Sequence, residues 1–234
     1  MALGFGPKFV TTGLVAYYDA ANIRSYPGTG TVITDLTRNK INGTLSNVTY
    51  STSGIGSLNF NGSTSYINYA TSSNLTLGTN DFTIDMWFNT TARTQTYPTL
   101  LHNEVGSTWT TNSWQINDRH NNNATKATLW VYNHSSATAL LVSSTAIQNG
   151  VWYNLIISRV GTSFSMYING NLDVTATSSA SIDGGVSKTY GLSSSVAGGQ
   201  YNGLVPLVKI YNNKGLTAAE VSQNFNATRN RFGV

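Results

Sequence analysis

Short runs of alternating apolar and polar residues recur along the chain, each bounded by Gly, Asn, Ser or Thr. This is the rhythm of a β-sandwich or barrel. "SLNF" (57–60) and "SYINY" (65–69) flank the turn "NGST". "DFTIDMWFNT" (81–90) places Phe82, Ile84, Met86 and Phe88 on one side and Thr83, Asp85, Trp87 and Asn89 on the other, because successive strand side chains point to opposite faces. "VWYNLIISRV" (151–160) is apolar on both faces for much of its length, which predicts a central strand. "SFSMYI" (163–168) alternates again and "LDVTAT" (172–177) is its return strand. The "NGN" between them (169–171) predicts a tight hairpin, since Asn-Gly accepts the positive φ of a type I′ turn.

The last strand, "GLVPLVKIYN" (203–212), carries Pro206, which cannot donate to a ladder; an edge position or a bulge is expected there. The period then changes. In "LTAAEVSQNFNATRNRF", Thr217 and Glu220 form a capping box and Leu216 with Val221 a hydrophobic staple, so a short C-terminal helix is predicted. Val221, Phe225, Thr228 and Phe232 fall on one face of it. "GLVAYYDAANIRSYPGTG" (13–30) opens as a buried strand and then turns polar. Asp19 is expected to cap "AANIRS", with Asn22, Tyr26 and Gly28 shaping the turn. No internal repeat or linker interrupts the chain, which is read as one all-β domain over 13–234 preceded by an N-terminal arm, 1–12.

Composition narrows the class. Only 9% of the 234 residues are charged, far below the usual quarter, and Asn, Thr, Ser and Gly take the surface instead. The net charge of +4 comes from Lys and Arg scattered singly, without the basic stripe of a nucleic-acid binder. With no cysteine there is no disulfide framework. The start "MALGFGPKFV" has no apolar run of signal-peptide length, and no stretch is long enough to span a membrane. Neither nucleic acid nor membrane insertion is expected.

Four segments carry a family resemblance: "SLNFNGSTSYINY", "DFTIDMWFN", "WYNLIISRVGTSFSMYINGNLD" and "GLVPLVKIYNNKGLTAAEVSQNFNA". In this order they resemble the laminin-G-like branch of the concanavalin A-like jelly-roll superfamily, covering 57–230 in patches and matching poorly over 91–150. The resemblance implies a jelly-roll β-sandwich with a short C-terminal helix. The opening, through "GLVAYYDA" and "SYPGTGT", resembles laminin-G-like proteins of tailed bacteriophages, especially those of marine cyanobacteria. That implies a virion structural protein (head decoration, tail or fibre component), made in the host cytoplasm and exposed on the virion surface. Its partners would be other virion proteins and further copies of itself.

Candidate chemistry is sparse. Glucanases of this fold place two carboxylates about the scissile bond, yet the only glutamates are Glu104 and Glu220, and Glu220 is used as a cap. Asp81 and Asp85 share a face without a third acid. His102, His120 and His134 lack a nucleophile motif and are expected on the surface or in loops. No enzyme activity and no cofactor are expected. Calcium is the ion that the resemblance raises; Asp118, near the amides of Asn121, Asn122 and Asn123, and Asp183 are its candidate anchors, against the reading that they only shape turns. A glycan- or partner-binding face is expected in 103–123, where Trp109, Asn112, Trp114, Asp118, Arg119 and His120 combine aromatic faces with polar rims. Trp114, alternating with Ile116, is also readable as an ordinary strand residue. The arm offers Leu3, Phe5, Phe9 and Val10 as docking handles, for its own sandwich or a neighbouring subunit. A host surface polysaccharide is the alternative partner.

Overall fold

The computed structural model describes residues 8–52, 55–104, 112–119, 125–133, 136–182, 189–194 and 198–234. Its strands, in chain order, are β1 (Leu14–Asp19), β2 (Val32–Ile33), β3 (Gly43–Ser46), β4 (Thr49–Ser51), β5 (Ser57–Asn61), β6 (Tyr66–Tyr69), β7 (Phe82–Thr90) and β8 (Thr99–Glu104). They continue as β9 (Trp114–Asn117), β10 (Lys126–Asn133), β11 (Ser136–Ala146), β12 (Trp152–Val160), β13 (Ser163–Ile168), β14 (Asn171–Thr177), β15 (Thr189–Leu192) and β16 (Asn202–Asn212). One helix, α1 (Ala218–Phe232), follows.

The strands form two antiparallel eight-stranded sheets. The first runs β14-β13-β12-β7-β16-β5-β4, with β1 also on β16; the second runs β11-β10-β9-β8-β15-β6-β3-β2. The inner faces share one core, in which Phe82, Ile84, Met86 and Phe88 of β7 meet Leu101, Ile116, Leu129 and Ile67 of the opposing sheet. The alternation read from the sequence therefore fixes this face correctly. The hairpin also forms, with Asn169 and Gly170 both at positive φ, 50° and 78°. At one edge Asp173 of β14 clips the sheets together, accepting from the backbone N–H groups of Ser144 (2.6 Å) and Thr145 (2.9 Å) at the end of β11.

Pro206 lies in an interior strand, between β7 on one side and β5 and β1 on the other. The strand tolerates it because its register against β7 shifts between Leu204 and Leu207. The Pro206 carbonyl still accepts, from Ala20 N–H at 2.8 Å. Of the two sites open to a strand proline, the bulge is the one used and the edge is not.

The polar face of β7 departs from a simple in-out reading: all nine of its residues are buried. The cover is α1. Thr217 and Glu220 make the capping box, Leu216 and Val221 pack together with Ile156 and Tyr211, and Gly233 closes the helix in the left-handed conformation. Phe232 stacks on Trp87 with ring centroids 3.9 Å apart, Phe225 stacks on its flank, and the indole Nε1 donates to Thr228 Oγ1 at 3.0 Å. Beneath the helix, Asp85 is 1% exposed and pairs with Lys209 at 2.9 Å.

Residues 8–12 dock on this same layer. Val10 N–H donates to Asn224 Oδ1 (2.8 Å) and Val10 C=O accepts from the Tyr211 hydroxyl (2.9 Å). Phe9 lies edge-on to Tyr17 and over the Lys209 ammonium. Leu3 and Phe5 are outside the described residues.

Asp19 does shape the turn, accepting from Ala21 N–H at 3.0 Å. It also holds an ion pair with Arg231 of α1 at 2.7 Å. The carboxylate thus fastens the end of β1 to the end of the helix.

Candidate functional site

The site expected in 103–123 divides. Trp109 and His120 lie outside the described residues, as do Asp183, His134 and Asn121–Asn123. Asn112 is half-buried with φ 68°. Trp114 is fully buried in the core, opposite Val131 of β10 and Asn103 of β8. Arg119 donates to the Gln95 carbonyl. His102, expected on the surface or in a loop, sits instead in the middle of β8 and is 2% exposed.

Asp118 is buried between the sheets. Its Oδ2 accepts from the Thr90 hydroxyl at 2.7 Å and lies 3.6 Å from Arg93 Nε. The Arg93 guanidinium beside this oxygen would repel a cation. Among the described residues no three His, Cys, Asp or Glu side chains gather where a metal could sit. Burial pushes the Asp118 carboxyl up from 3.8 to about 6, against the lowering effect of Thr90 and Arg93. Between those values the native state keeps a proton that the unfolded chain has lost, so stability falls as pH rises through this window. The loss amounts to about 2–3 kcal/mol. Asp118→Asn is expected to flatten the stability profile between pH 4 and 7, read by urea unfolding at several pH values. An unchanged slope would refute the assignment.

The remaining acids are engaged as well. Asp35 accepts from the N–H groups of Tyr17, Thr37 and Ile41, Asp81 accepts from Gly161 N–H, and Glu220 caps α1 and pairs with Lys214. Of the nine acids in the sequence, this leaves the side chains of Glu104 and Asp183 outside the description.

The outer face of the second sheet is different. One transverse row crosses all eight strands: Val32, Thr44, Asn68, Gly191, His102, Gln115, Trp130 and Ala139 lie side by side. Gly191 is required at its centre. A Cβ there would stand 2.8 Å from His102 Nε2 and 2.4 Å from the Ile67 carbonyl. The imidazole lies across this gap and donates to the Ser193 carbonyl at 2.9 Å.

His102 and Gln115 in this row are buried, whereas Val32 is exposed and Trp130 and Ala139 are half-buried; the row's polar accessible positions, Thr44 and Asn68, are on β3 and β6. Thr44 pairs in register with Asn68 and Ser46 with Tyr66, while Leu45 and Ile67 between them point into the core. Thr44 is exposed, and Ser46, Tyr66 and Asn68 are half-buried. Their hydroxyl and amide groups hold no partner among the described residues, so an aromatic ring is surrounded by open donors and acceptors. Such a surface can place a pyranose or furanose ring against Tyr66 and bond its hydroxyls. The sequence carried a signal for it: "GTLS" and "SYINY" both alternate, with the polar members in register.

Family comparison gives this geometry its context. The family model Laminin_G_3, described as the concanavalin A-like lectin/glucanases superfamily, matches residues 61–222. The chain belongs to that superfamily. No curated protein matches the sequence. Among solved structures, this laminin-G-like chain resembles domain 4 of the extracellular arabinanase AbnA from Geobacillus stearothermophilus, solved with arabinotriose. The TM-score is 0.69 at 19% identity, covering 90% of this chain and 97% of that one. It also resembles the binding domain of Paraclostridial Mosquitocidal Protein 1 (TM-score 0.70, 17% identity, 94% and 53% covered). A third is Trypanosoma rangeli sialidase (TM-score 0.68, 14% identity, 94% and 33% covered). The chain spans about half of the toxin domain and a third of the sialidase. At these identities the likeness is one of fold.

Proposed function

We propose that this chain is a non-catalytic recognition module that binds carbohydrate through the outer face of its second sheet. The observation that carries the reading is the patch of Thr44, Ser46, Tyr66 and Asn68, four side chains in register with unused hydrogen-bonding capacity around one ring. The arabinotriose-bound arabinanase domain, of nearly equal length, supports the ligand class. The engagement of every described carboxylate in turns, caps and ion pairs supports a binding role over hydrolysis.

The test is a titration of the full chain against arabinotriose and a neutral glycan array. A Tyr66→Ala/Asn68→Ala variant is expected to lose at least ten-fold in affinity for whatever the wild type binds, with an unchanged unfolding midpoint. An array without hits overturns the reading. Loss on Trp109→Ala with none on the β6 variant would also overturn this site, moving recognition to the 103–123 loop.

The resemblance of residues 1–36 to phage proteins supports a setting for this activity: a virion structural protein displayed on the particle surface, in several copies held by protein contacts. Repeated copies would raise a weak glycan affinity by avidity. Mass spectrometry of purified particles tests the setting separately, and absence of the chain from them would end it.

A further inference from the structure

A second opening lies where the docked arm meets β1 and the loop after β2. It is a cleft of about 620 Å³, within the size range of small-ligand sites. Phe9, Leu14, Tyr17 and Leu36 form its apolar lining. Two cations, Arg24 and Arg38, also line it, and no acidic residue does.

These two arginines differ from the others. Arg93, Arg119, Arg159 and Arg231 each donate to named acceptors, and Arg229 lies over the Phe225 ring. Arg24 and Arg38 are exposed and their guanidinium groups hold no partner among the described residues. The acids nearest in sequence are already engaged, Asp19 with Arg231 and Asp35 with backbone N–H groups and Thr37. The Asp35 carboxylate carries its charge beside Thr37 at the cleft wall, but neither Arg24 nor Arg38 forms an ion pair with it, so both guanidinium groups stay open to a ligand. In a protein with only 9% charged residues, two open guanidinium groups over an apolar cleft set up a local field for an anion.

We infer that this cleft is a second binding site, for an acidic oligosaccharide bearing carboxylates, distinct from the neutral patch on β3 and β6. A guanidinium matches a carboxylate with two parallel N–H donors. The apolar lining suits the C–H face of a sugar ring. Thr11, Asn22 and Thr37, which complete the lining, supply neutral groups for ring hydroxyls, and it is this neutral rim that favours a uronate over an acidic peptide.

The probe is trigalacturonate titrated into the full chain by calorimetry, with neutral galactotriose as control. Trigalacturonate is expected to bind, to weaken several-fold between 50 and 200 mM salt, and to lose at least ten-fold with Arg24→Gln/Arg38→Gln. Both substitutions are at exposed positions, so the unfolding midpoint should not move. Tyr66→Ala/Asn68→Ala should leave trigalacturonate binding intact, which separates this site from the neutral patch. Equal binding of galactotriose, retention of affinity in the arginine variant, or tighter binding of tetraglutamate than of trigalacturonate would each overturn the inference.

Discussion

Asp85→Ala is expected to destabilise the protein by about 3–5 kcal/mol, the cost of leaving one member of a buried ion pair uncompensated. Lys209 is fully buried and its ammonium lies 2.9 Å from Asp85 Oδ2. Its other named contact is the ring of Phe9, which cannot replace a carboxylate. The other partners of Asp85 suffer less. Asn154 Nδ2 also donates to the Met86 carbonyl at 3.2 Å, and Asn224 Nδ2 to the Tyr211 hydroxyl at 2.9 Å. Most of the penalty should therefore belong to Lys209, and Asp85→Leu/Lys209→Met should recover a substantial part of it. Urea unfolding of the three proteins measures both quantities. A loss under 1 kcal/mol for the single variant would show that the lysine finds another partner or water at little cost.

The second large effect is expected at Trp87. The indole is fully buried, stacked against Phe232 and Phe225 and hydrogen-bonded to Thr228. Trp87→Ala should cost about 3–5 kcal/mol, as for other large aromatic truncations in cores. The damage should be unevenly spread. Trp87 contacts the helix and lies outside the core shared by the two sheets, so amide exchange should accelerate most across α1 and little in β8–β10. Uniform acceleration would mean that the helix and the sandwich unfold as one unit.

How much of this was legible beforehand depended on the range of the interaction. The capping box of Thr217 and Glu220, the Asn169-Gly170 hairpin and the inward row of β7 are set by residues within a few positions of each other, and all three could be read from local spacing. The helix face of Val221, Phe225, Thr228 and Phe232 was legible as a face. Its target was not, because the polar side of β7 looked like a solvent side. Asp85 is exposed in any local reading; it is buried only because a helix from the far end of the chain and residues 8–12 close over it. The partner of Asp19 is 212 positions away. The candidate patch follows the same rule: the alternation of Thr44, Ser46, Tyr66 and Asn68 is local, but their alignment is a matter of register between strands separated by a turn and two further strands. In the 103–123 stretch, Trp114 read as site or strand residue and Asp118 as site or turn residue, and packing rather than spacing put both inside.

The arm and the helix meet each other as well as the sheet: Gln223 donates to the Lys8 carbonyl and Val10 to Asn224. Both ends of the described chain thus leave from one side, the layer over the first sheet. Whatever is fused or tethered there, at either end, would mount the domain from behind and turn the β3–β6 patch outward. Tension applied between the two ends would bear first on this seam of side-chain and backbone contacts, before any ladder between strands is loaded.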